Sequence, residues 1–434
     1  MIRRLVVTLS NRIHIGSFLG NVLVLAGGTG LAQLIAVLAT PFLTRIYTPQ
    51  EFGNLTVFVS SLALILVIVT LRYEVAIPLP ANDEAAMNLT ALSGLIALVI
   101  GAMAGIVIFL FGDVFVDAIG VSQVRSFLWL YPLAIVAGGG VQTLNYWHIR
   151  RRNFRGLTKA KIGQSATTVT GQLIFGFLEL RQLGLVLGYF GGYLGAGSLL
   201  FIAFFRESRH FLSAVSWSGI KSAAKRYRRF PLIASWSALL NQGGLQAAPL
   251  LFAMLFGAQI AGWFGLAQRI AGIPITLIGR SVSQVYLSEA SRLRNETPSA
   301  MLGLFLRTVK KLFLYVGIPM LLAGLLAPWV FAFIFGEAWR ISGWYVVAML
   351  PMFLGQITVY PLSPTLNILE RQDLQLAWDV ARVSAVVGVI LISYYEFHLT
   401  SLLTLAMYSI TMFVMYGVRF LIMWQQLHHL ARSS

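Results

Sequence analysis

Cysteine is absent from these 434 residues, which excludes a disulfide framework and a thiolate metal site. Charge is scarce. Only 11% of the residues are charged and 58% are hydrophobic, whereas a soluble domain is about a quarter charged. Such a chain cannot cover a water-facing surface, so a soluble helical protein is excluded. Acid is scarcest of all: 15 Asp and Glu stand against 32 Lys and Arg, for a net charge of +17. In a soluble protein that excess would point to nucleic acid. Here the basic residues are bunched between long apolar runs, and a topology signal beside anionic lipid headgroups accounts for them without a nucleic-acid partner. Also missing are a glycine-rich phosphate loop ending in Gly-Lys-Ser/Thr and a His-Glu-x-x-His motif. His14, His148, His210, His398, His428 and His429 show no ligand spacing. These absences exclude a built-in ATPase and a zinc hydrolase, and no cofactor is expected.

What is present is apolar length. A membrane span needs roughly 20 mostly apolar residues, and twelve candidates occur near 18–43, 54–78, 88–111, 126–148, 162–180, 183–205, 231–256, 259–280, 308–335, 341–366, 374–394 and 398–423. The first run begins behind Met1-Ile-Arg-Arg like a signal peptide, but it continues to about Phe42 without a convincing cleavage site and reads as a retained helix. Between the first two spans, Thr48-Pro49-Gln50-Glu51 forms a capping box with proline at the first helical position, so a helix must start there.

Orientation follows from the cations. With the amino terminus inside, one side receives Arg3, Arg4, Arg12, the cluster Arg150–Lys161, the segment Arg206–Arg229, Arg292, Arg294 and all six lysines. Only Arg45, Arg125, Arg181, Arg269 and Arg340 fall elsewhere. Both termini are therefore expected to be cytoplasmic.

The halves echo each other. Gln33, Pro41 and "YTPQEFG" at 47–53 recur as Gln242, Pro249 and "FGAQIAG" at 256–262, offset by 208–209 residues. "FLFGD" at 109–113 pairs with "FIFGE" at 333–337, and "IRRRNFRGL" at 149–157 with "LERQDLQLA" at 369–377. Chance similarity among apolar segments is the alternative. Six helices per half is an even number, which predicts a parallel repeat about an axis along the membrane normal with a site between halves. The expected fold is an all-α integral membrane protein of about twelve transmembrane helices in two six-helix lobes around a central cavity. Residues 1–206 form the first lobe, 207–229 a basic cytoplasmic linker and 230–434 the second lobe.

Polar residues within the spans are the candidate site. Gln33, Thr40 and Thr44 share one face of the first span. Ser235, Gln242 and Gln246 share one face of the seventh, with Asn241 beside them. Interhelical hydrogen bonding would explain the same pattern. Gly27, Gly28 and Gly30, and the Gly243-Gly244 pair, mark places where these helices bend or pack closely. Arg269 falls about 15–18 Å along the eighth span, near the midplane of a hydrocarbon core about 30 Å thick. An arginine there costs about 2.5–3.5 kcal/mol. In this span assignment no acid reaches mid-membrane: Glu179, Asp379 and Glu396 sit near helix ends. Arg269 is therefore expected to face a polar cavity and take an anion, with backbone carbonyls or snorkelling as alternatives. Arg72, near the inner end of the second span, either snorkels or meets a ligand headgroup. Glu74, two residues on, points elsewhere on a helix. Arg45 at the outer mouth serves either cargo exit or anchoring.

The stretches "PFLTRIYTPQEFGNLTVFVS" at 41–60 and "TLRYEVAIPLPANDEAAMNL" at 70–89 resemble the Wzx-type polysaccharide flippases. These belong to the multidrug/oligosaccharidyl-lipid/polysaccharide exporter superfamily. The resemblance implies a V-shaped cavity between lobes, lined largely by spans one, two, seven and eight. It implies an undecaprenyl-diphosphate-linked oligosaccharide as cargo, moved by alternating access from the inner to the outer leaflet of a bacterial cytoplasmic membrane for surface polysaccharide synthesis. It also implies arginine contacts to the diphosphate, with Arg269 and Arg72 on fitting spans. A few guanidinium groups suit that headgroup, because they bind oxyanions bidentately. Expected partners are this cargo, membrane lipids, polymerase and chain-length proteins of the pathway, and a coupling proton or sodium ion. A multidrug exporter is one alternative, though cationic drugs favour an acidic cavity. A membrane-embedded polymerase or ligase is the other, and would need acids or histidines on the outer side.

Overall fold

The computed structural model describes residues 18–119 and 122–433, and every regular element in them is helical. Arg3, Arg4, Arg12 and the amino terminus lie outside the described residues. The long helices are α1 (Phe18–Ile46), α2 (Pro49–Ile68), α3 (Asp83–Ile119), α4 (Leu130–Arg150), α5 (Phe154–Phe177), α6 (Arg181–Ser208), the short α7 (Trp217–Arg226), α8 (Ser235–Phe256), α9 (Ala258–Glu296) and α10 (Ala300–Leu312). They continue with α11 (Ile318–Leu325), α12 (Ala327–Phe335), α13 (Arg340–Val359), α14 (Pro364–Ile368), α15 (Gln372–Tyr395) and α16 (Ser401–Ser433).

Among the described residues, ten helical segments are long and apolar enough to cross a membrane, against twelve expected. The two that fall short are α4 and α5, which match the expected spans at 126–148 and 162–180. Both are long enough, at 21 and 24 residues. They are too polar, because α5 carries Lys159, Lys161, Gln164, Ser165, four threonines and Gln172. Several of these groups are spent on neighbouring helices. Ser165 Oγ donates to Ala32 O at 2.6 Å, Thr158 Oγ1 to Val24 O at 3.2 Å, and Gln172 Nε2 to Leu185 O at 3.2 Å. A helix whose polar groups are satisfied by other helices need not look apolar in sequence.

Boundaries also move. The second span stops at Ile68 instead of running to residue 78, and residues 70–76 form a turn and a 3₁₀ segment. The expected span 308–335 is broken by a π turn at Phe313–Gly317 and a second break before Pro328. The eighth span extends to Glu296. The capping box is formed as expected: Thr48 N donates to Glu51 Oε2 at 2.8 Å, and Glu51 N to Thr48 Oγ1 at 3.3 Å.

The chain clusters into two compact units. The first holds residues up to Ile46 and Leu62–Leu239; the second holds Tyr47–Ser61 and the chain from Leu240. In the first, one end is a dense core. Trp147 is fully buried, packs edge-on against Phe204 and donates through Nε1 to Ser208 Oγ at 3.0 Å. Arg150 Nε reaches Asp83 Oδ1 at 2.8 Å, and Arg151 Nη1 reaches Asp83 Oδ2 at 2.6 Å. The basic helix α7 docks on this core. Asn88 accepts from Ser216 N at 3.0 Å and donates to Ala214 O at 3.0 Å, while Tyr73 OH donates to Ala224 O at 3.1 Å.

In the second unit, Phe252 of α8 stacks on Phe264 of α9 with centroids 5.2 Å apart. Ser409 Oγ accepts Met352 N at 3.0 Å beside Pro351, a side chain meeting a backbone group next to a helix proline. Large side chains point outward from both units, with Phe109 87% and Phe333 86% exposed, as a lipid-facing surface requires.

Candidate functional site

The predicted site residues divide between the units: Gln33, Arg45, Arg72 and Ser235 in the first, Asn241, Gln242, Gln246 and Arg269 in the second. Arg45 is exposed at the end of α1. Thr40 and Thr44 are buried, and their hydroxyls bond carbonyls of their own helix, Ala36 O at 2.7 Å and Pro41 O at 3.1 Å. That part of the stripe on α1 is thus not offered to a ligand. Gln33 differs: it is half-buried, and its Oε1 is buried without a hydrogen-bond partner. One turn earlier, Thr29 Oγ1 accepts from Lys161 Nζ at 2.9 Å across the α1–α5 contact. Lys161 is thus a half-buried cation at the α1–α5 contact. Ser235 is buried, with its hydroxyl turned to Phe230 O at 3.4 Å.

Arg72 corrects the sequence reading. It lies past the end of α2 in the left-handed region at φ 62°, next to Leu71 at φ 50°. The chain has left helical geometry, so residue i+2 is no longer on the far side. Arg72 Nη1 lies 3.4 Å from Glu74 Oε1, and the two are partners after all. Thr70 Oγ1 donates to the other carboxylate oxygen of Glu74. Glu74 is 1% exposed, and burial pushes its carboxyl above the usual range, against the opposing pull of Thr70 and Arg72. Tyr146 of α4 lies within Coulombic reach of both charges.

On the second unit, Asn241 is exposed and Gln242 and Gln246 are half-buried on α8. Arg269 is half-buried on α9, 11 residues from its start and so about 16 Å along the axis, as expected.

The strongest charge cluster is one that the sequence reading missed. Arg382 of α15 and Arg419 of α16 are 5% and 4% exposed. Both guanidinium groups lie over the indole of Trp378, at 5.2 Å and 4.4 Å from its centroid, a geometry with cation–π attraction. Trp378 Nε1 donates to Met415 O at 2.8 Å, which ties the two helices together. Arg382 Nη2 lies 3.4 Å from Asp379 Oδ1, Gln375 Nε2 donates to Asp379 Oδ2 at 2.7 Å, and Arg419 donates to Gln375 Oε1. Each arginine keeps a buried Nε without a hydrogen-bond partner. Gly244 of α8 makes room for the cluster: a Cβ there would lie 2.9 Å from Arg382 Nη2. The Gly243-Gly244 pair is thus a close approach at its second member.

The cluster also overturns the placement of Asp379 near a helix end. It is seven residues inside α15, about 10 Å along it. The signal was in the sequence: Trp378, Asp379 and Arg382 occupy i, i+1 and i+4 in an otherwise apolar stretch, where an arginine is costly without partners. No group of three or more His, Cys, Asp or Glu residues among the described residues could hold a metal ion.

The family model for "Polysaccharide biosynthesis protein" matches residues 42–342. This chain belongs to that family. No curated protein sequence matches the chain. Among solved structures, it is similar to an inward-facing multidrug resistance MATE family transporter of the MOP superfamily, with TM-score 0.76, 15% identity, and 93% of this chain and 96% of that one covered. An outward-facing multidrug resistance MATE transporter gives TM-score 0.56 at 15% identity over 96% and 97%. A MATE complex with MaL6 gives 0.61 at 14% identity over 95% and 97%. The family member thus has the MATE fold.

Proposed function

We propose that this protein is a flippase that carries an undecaprenyl-diphosphate-linked oligosaccharide from the inner to the outer leaflet of the bacterial cytoplasmic membrane. Twelve spans, six in each half, would expose the cargo headgroup to one face and then the other. The observation that carries this reading is the sign of the charge held inside a member of a polysaccharide biosynthesis family. Among the described residues of its candidate spans, the buried ionic side chains are Arg382 and Arg419, and Arg269 is half-buried. The carboxylate beside Arg382, Asp379, is engaged by it. Such an interior suits a diphosphate and opposes a cation. Arg269 and Arg72 are assigned to the headgroup, with Arg45 on the exit path. Gln33, Asn241, Gln242 and Gln246 are assigned to the sugar, and Ser235 to the same polar surface. Protons or sodium ions would drive the cycle, and polymerase and chain-length proteins would take the product.

A deletion strain tests this. The expected result is loss of surface glycan with its lipid-linked precursor accumulating on the inner leaflet. Precursor on the periplasmic face would overturn the reading and point to a polymerase or ligase. The fold neighbours favour a second reading, multidrug export; a deletion strain that makes normal glycan but gains drug sensitivity would establish it instead.

A further inference from the structure

The charges inside the second unit do not balance. Arg382 lies 10 residues inside α15 and Arg419 lies 18 residues inside α16, about 15 Å and 27 Å along their helices. Buried to 5% and 4% exposure, neither guanidinium snorkels to an interface. Among the described residues, Asp379 is the one acid in ion-pair contact with either arginine, and it pairs with Arg382. Arg419 gives its Nη2 to a neutral amide oxygen, Gln375 Oε1. The two guanidinium groups share the indole of Trp378 and lie within Coulombic reach of each other. Tyr360, Tyr408 and Tyr416, also within Coulombic reach of the cluster, are phenols and add no charge at neutral pH. Two cations and one carboxylate leave one positive charge over. Attraction to the indole holds the guanidinium groups in place without cancelling that charge.

The hydrogen bonds leave a matching remainder. The Nε of each arginine is buried with no hydrogen-bond partner. A guanidinium presents its donors in a rigid fork, so an Nε–H left over beside an engaged Nη2 has a fixed direction in which an acceptor fits. A buried donor without an acceptor costs its full desolvation. The charge count and the donor count are separate observations, and both call for an acceptor that carries negative charge.

The surroundings narrow its chemistry. A ligand held here must leave most of its water behind. A singly charged ion sheds water more cheaply than a divalent phosphate or sulfate, and one negative charge equals the excess where two would overshoot it. The cluster opens at Asp379, whose side chain is 23% exposed. A carboxylate at that edge repels a polyanion more strongly than a single charge.

We propose that α15 and α16 hold one small monovalent anion of the halide class against the Nε groups of Arg382 and Arg419. This site lies wholly within the second unit and does not rest on the identity of the cargo. The test uses the full chain purified in an uncharged detergent. Its melting temperature is followed as sodium chloride replaces sodium gluconate at constant ionic strength. An anion that binds the folded protein alone raises the melting temperature with its concentration. The wild-type protein should gain several degrees, with bromide acting as chloride does. Arg419→Met removes the excess cation and leaves Asp379 paired, so it should fold, and its melting temperature should ignore halide. Asp379→Asn raises the excess to two charges and should reach half of its gain at a severalfold lower chloride concentration. A wild-type protein indifferent to halide would overturn the site, as would an Arg419→Met variant with the wild-type response. An Asp379→Asn midpoint that stays or rises would overturn it too; if that variant does not accumulate, Arg419→Met decides. Inorganic pyrophosphate that gives the same gain far below the effective chloride concentration, and loses it in Arg419→Met, would also overturn the halide and assign these arginines to a phosphate headgroup.

Discussion

At the scale of single residues, Glu74 and Arg72 show how a turn reverses a sequence rule. Spacing of two on a helix separates side chains; two left-handed residues before the acid bring them to 3.4 Å. Burial raises the Glu74 carboxyl above its usual 4.5. A raised carboxyl favours the folded state when protonated. Its stabilisation is fully present below about 4.5 and is lost as pH rises through the raised native value. Thermal unfolding of the purified protein should therefore show a melting temperature that declines from pH 4.5 upward, and Glu74→Gln should flatten that slope. A slope identical in the variant would mean that other groups carry it. Arg72 itself is tested by two replacements. Glycine accepts φ 62° freely, whereas alanine pays about 1 kcal/mol for it, so Arg72→Gly should be more stable than Arg72→Ala although both lose the charge. If the headgroup assignment holds, both should lower export alike and less severely than Arg269→Ala. Arg269→Ala should abolish most export at matched membrane levels. Arg269→Lys should be intermediate, because lysine keeps the charge and loses the bidentate fork.

At the scale of elements, the α8–α15–α16 cluster separates what was legible in the sequence from what was not. Helix existence was legible, because apolar runs of this length have few other uses. The start of α2 was legible because the capping box is a local signal, satisfied within four residues. The end of α2 was not, because the apolar run continues through Tyr73–Ile77, which is buried in a 3₁₀ turn against α3 and α7. Arg382 and Arg419 had no place among the candidate site residues. Arg382 is accommodated by a missing side chain on α8 and Arg419 by an indole from α15, and neither is visible in the arginine's own helix. The third sequence echo is also off register. It sets Arg152 against Gln372, yet the left-handed residues that introduce the two 24-residue helices α5 and α15 are Arg152 and Glu370. Two substitutions test the close approach at α8. Gly244→Ala places a methyl 2.7 Å from Val383 Cγ2 and 2.9 Å from Arg382 Nη2, an overpacking worth about 1–3 kcal/mol, so the melting temperature should fall. Gly243→Ala meets nothing within 4 Å and should be neutral or gain about 0.5–1 kcal/mol from helix propensity. Equal effects would show that α8 does not pack on Arg382 through Gly244. The arginines should differ from each other as well. Arg382→Met strands the Asp379 carboxylate and should destabilise more than Arg419→Met, whose partners are an amide and an indole.

At the scale of the whole molecule, charge asymmetry is the property that links sequence to membrane. The expected orientation rests on lysine and arginine counts, which do not depend on exact helix ends. A boundary that moves ten residues, as at α2, leaves Lys159, Lys221, Lys225, Lys310 and Lys311 on the same side. The structure supplies addresses at which the orientation can be read. Ser222 is exposed on α7, a helix fixed to the first unit through Tyr73 and Asn88, so a label there reports the side of that whole end. Gln50 is exposed in the turn that starts α2, at the opposite end of α1. If the basic segment from Arg206 to Arg229 faces the cytoplasm, Ser222→Cys will react with an impermeant thiol reagent only after the cells are opened, and Gln50→Cys will react in intact cells. The reverse pattern would invert the protein in the bilayer and turn the proposed direction of flipping around. Labelling of both sites in intact cells would mean that an even number of spans separates them instead of the expected five. One of α4 and α5, the two helices too polar to count as spans by composition, would then be the first candidate for lying on the membrane instead of crossing it.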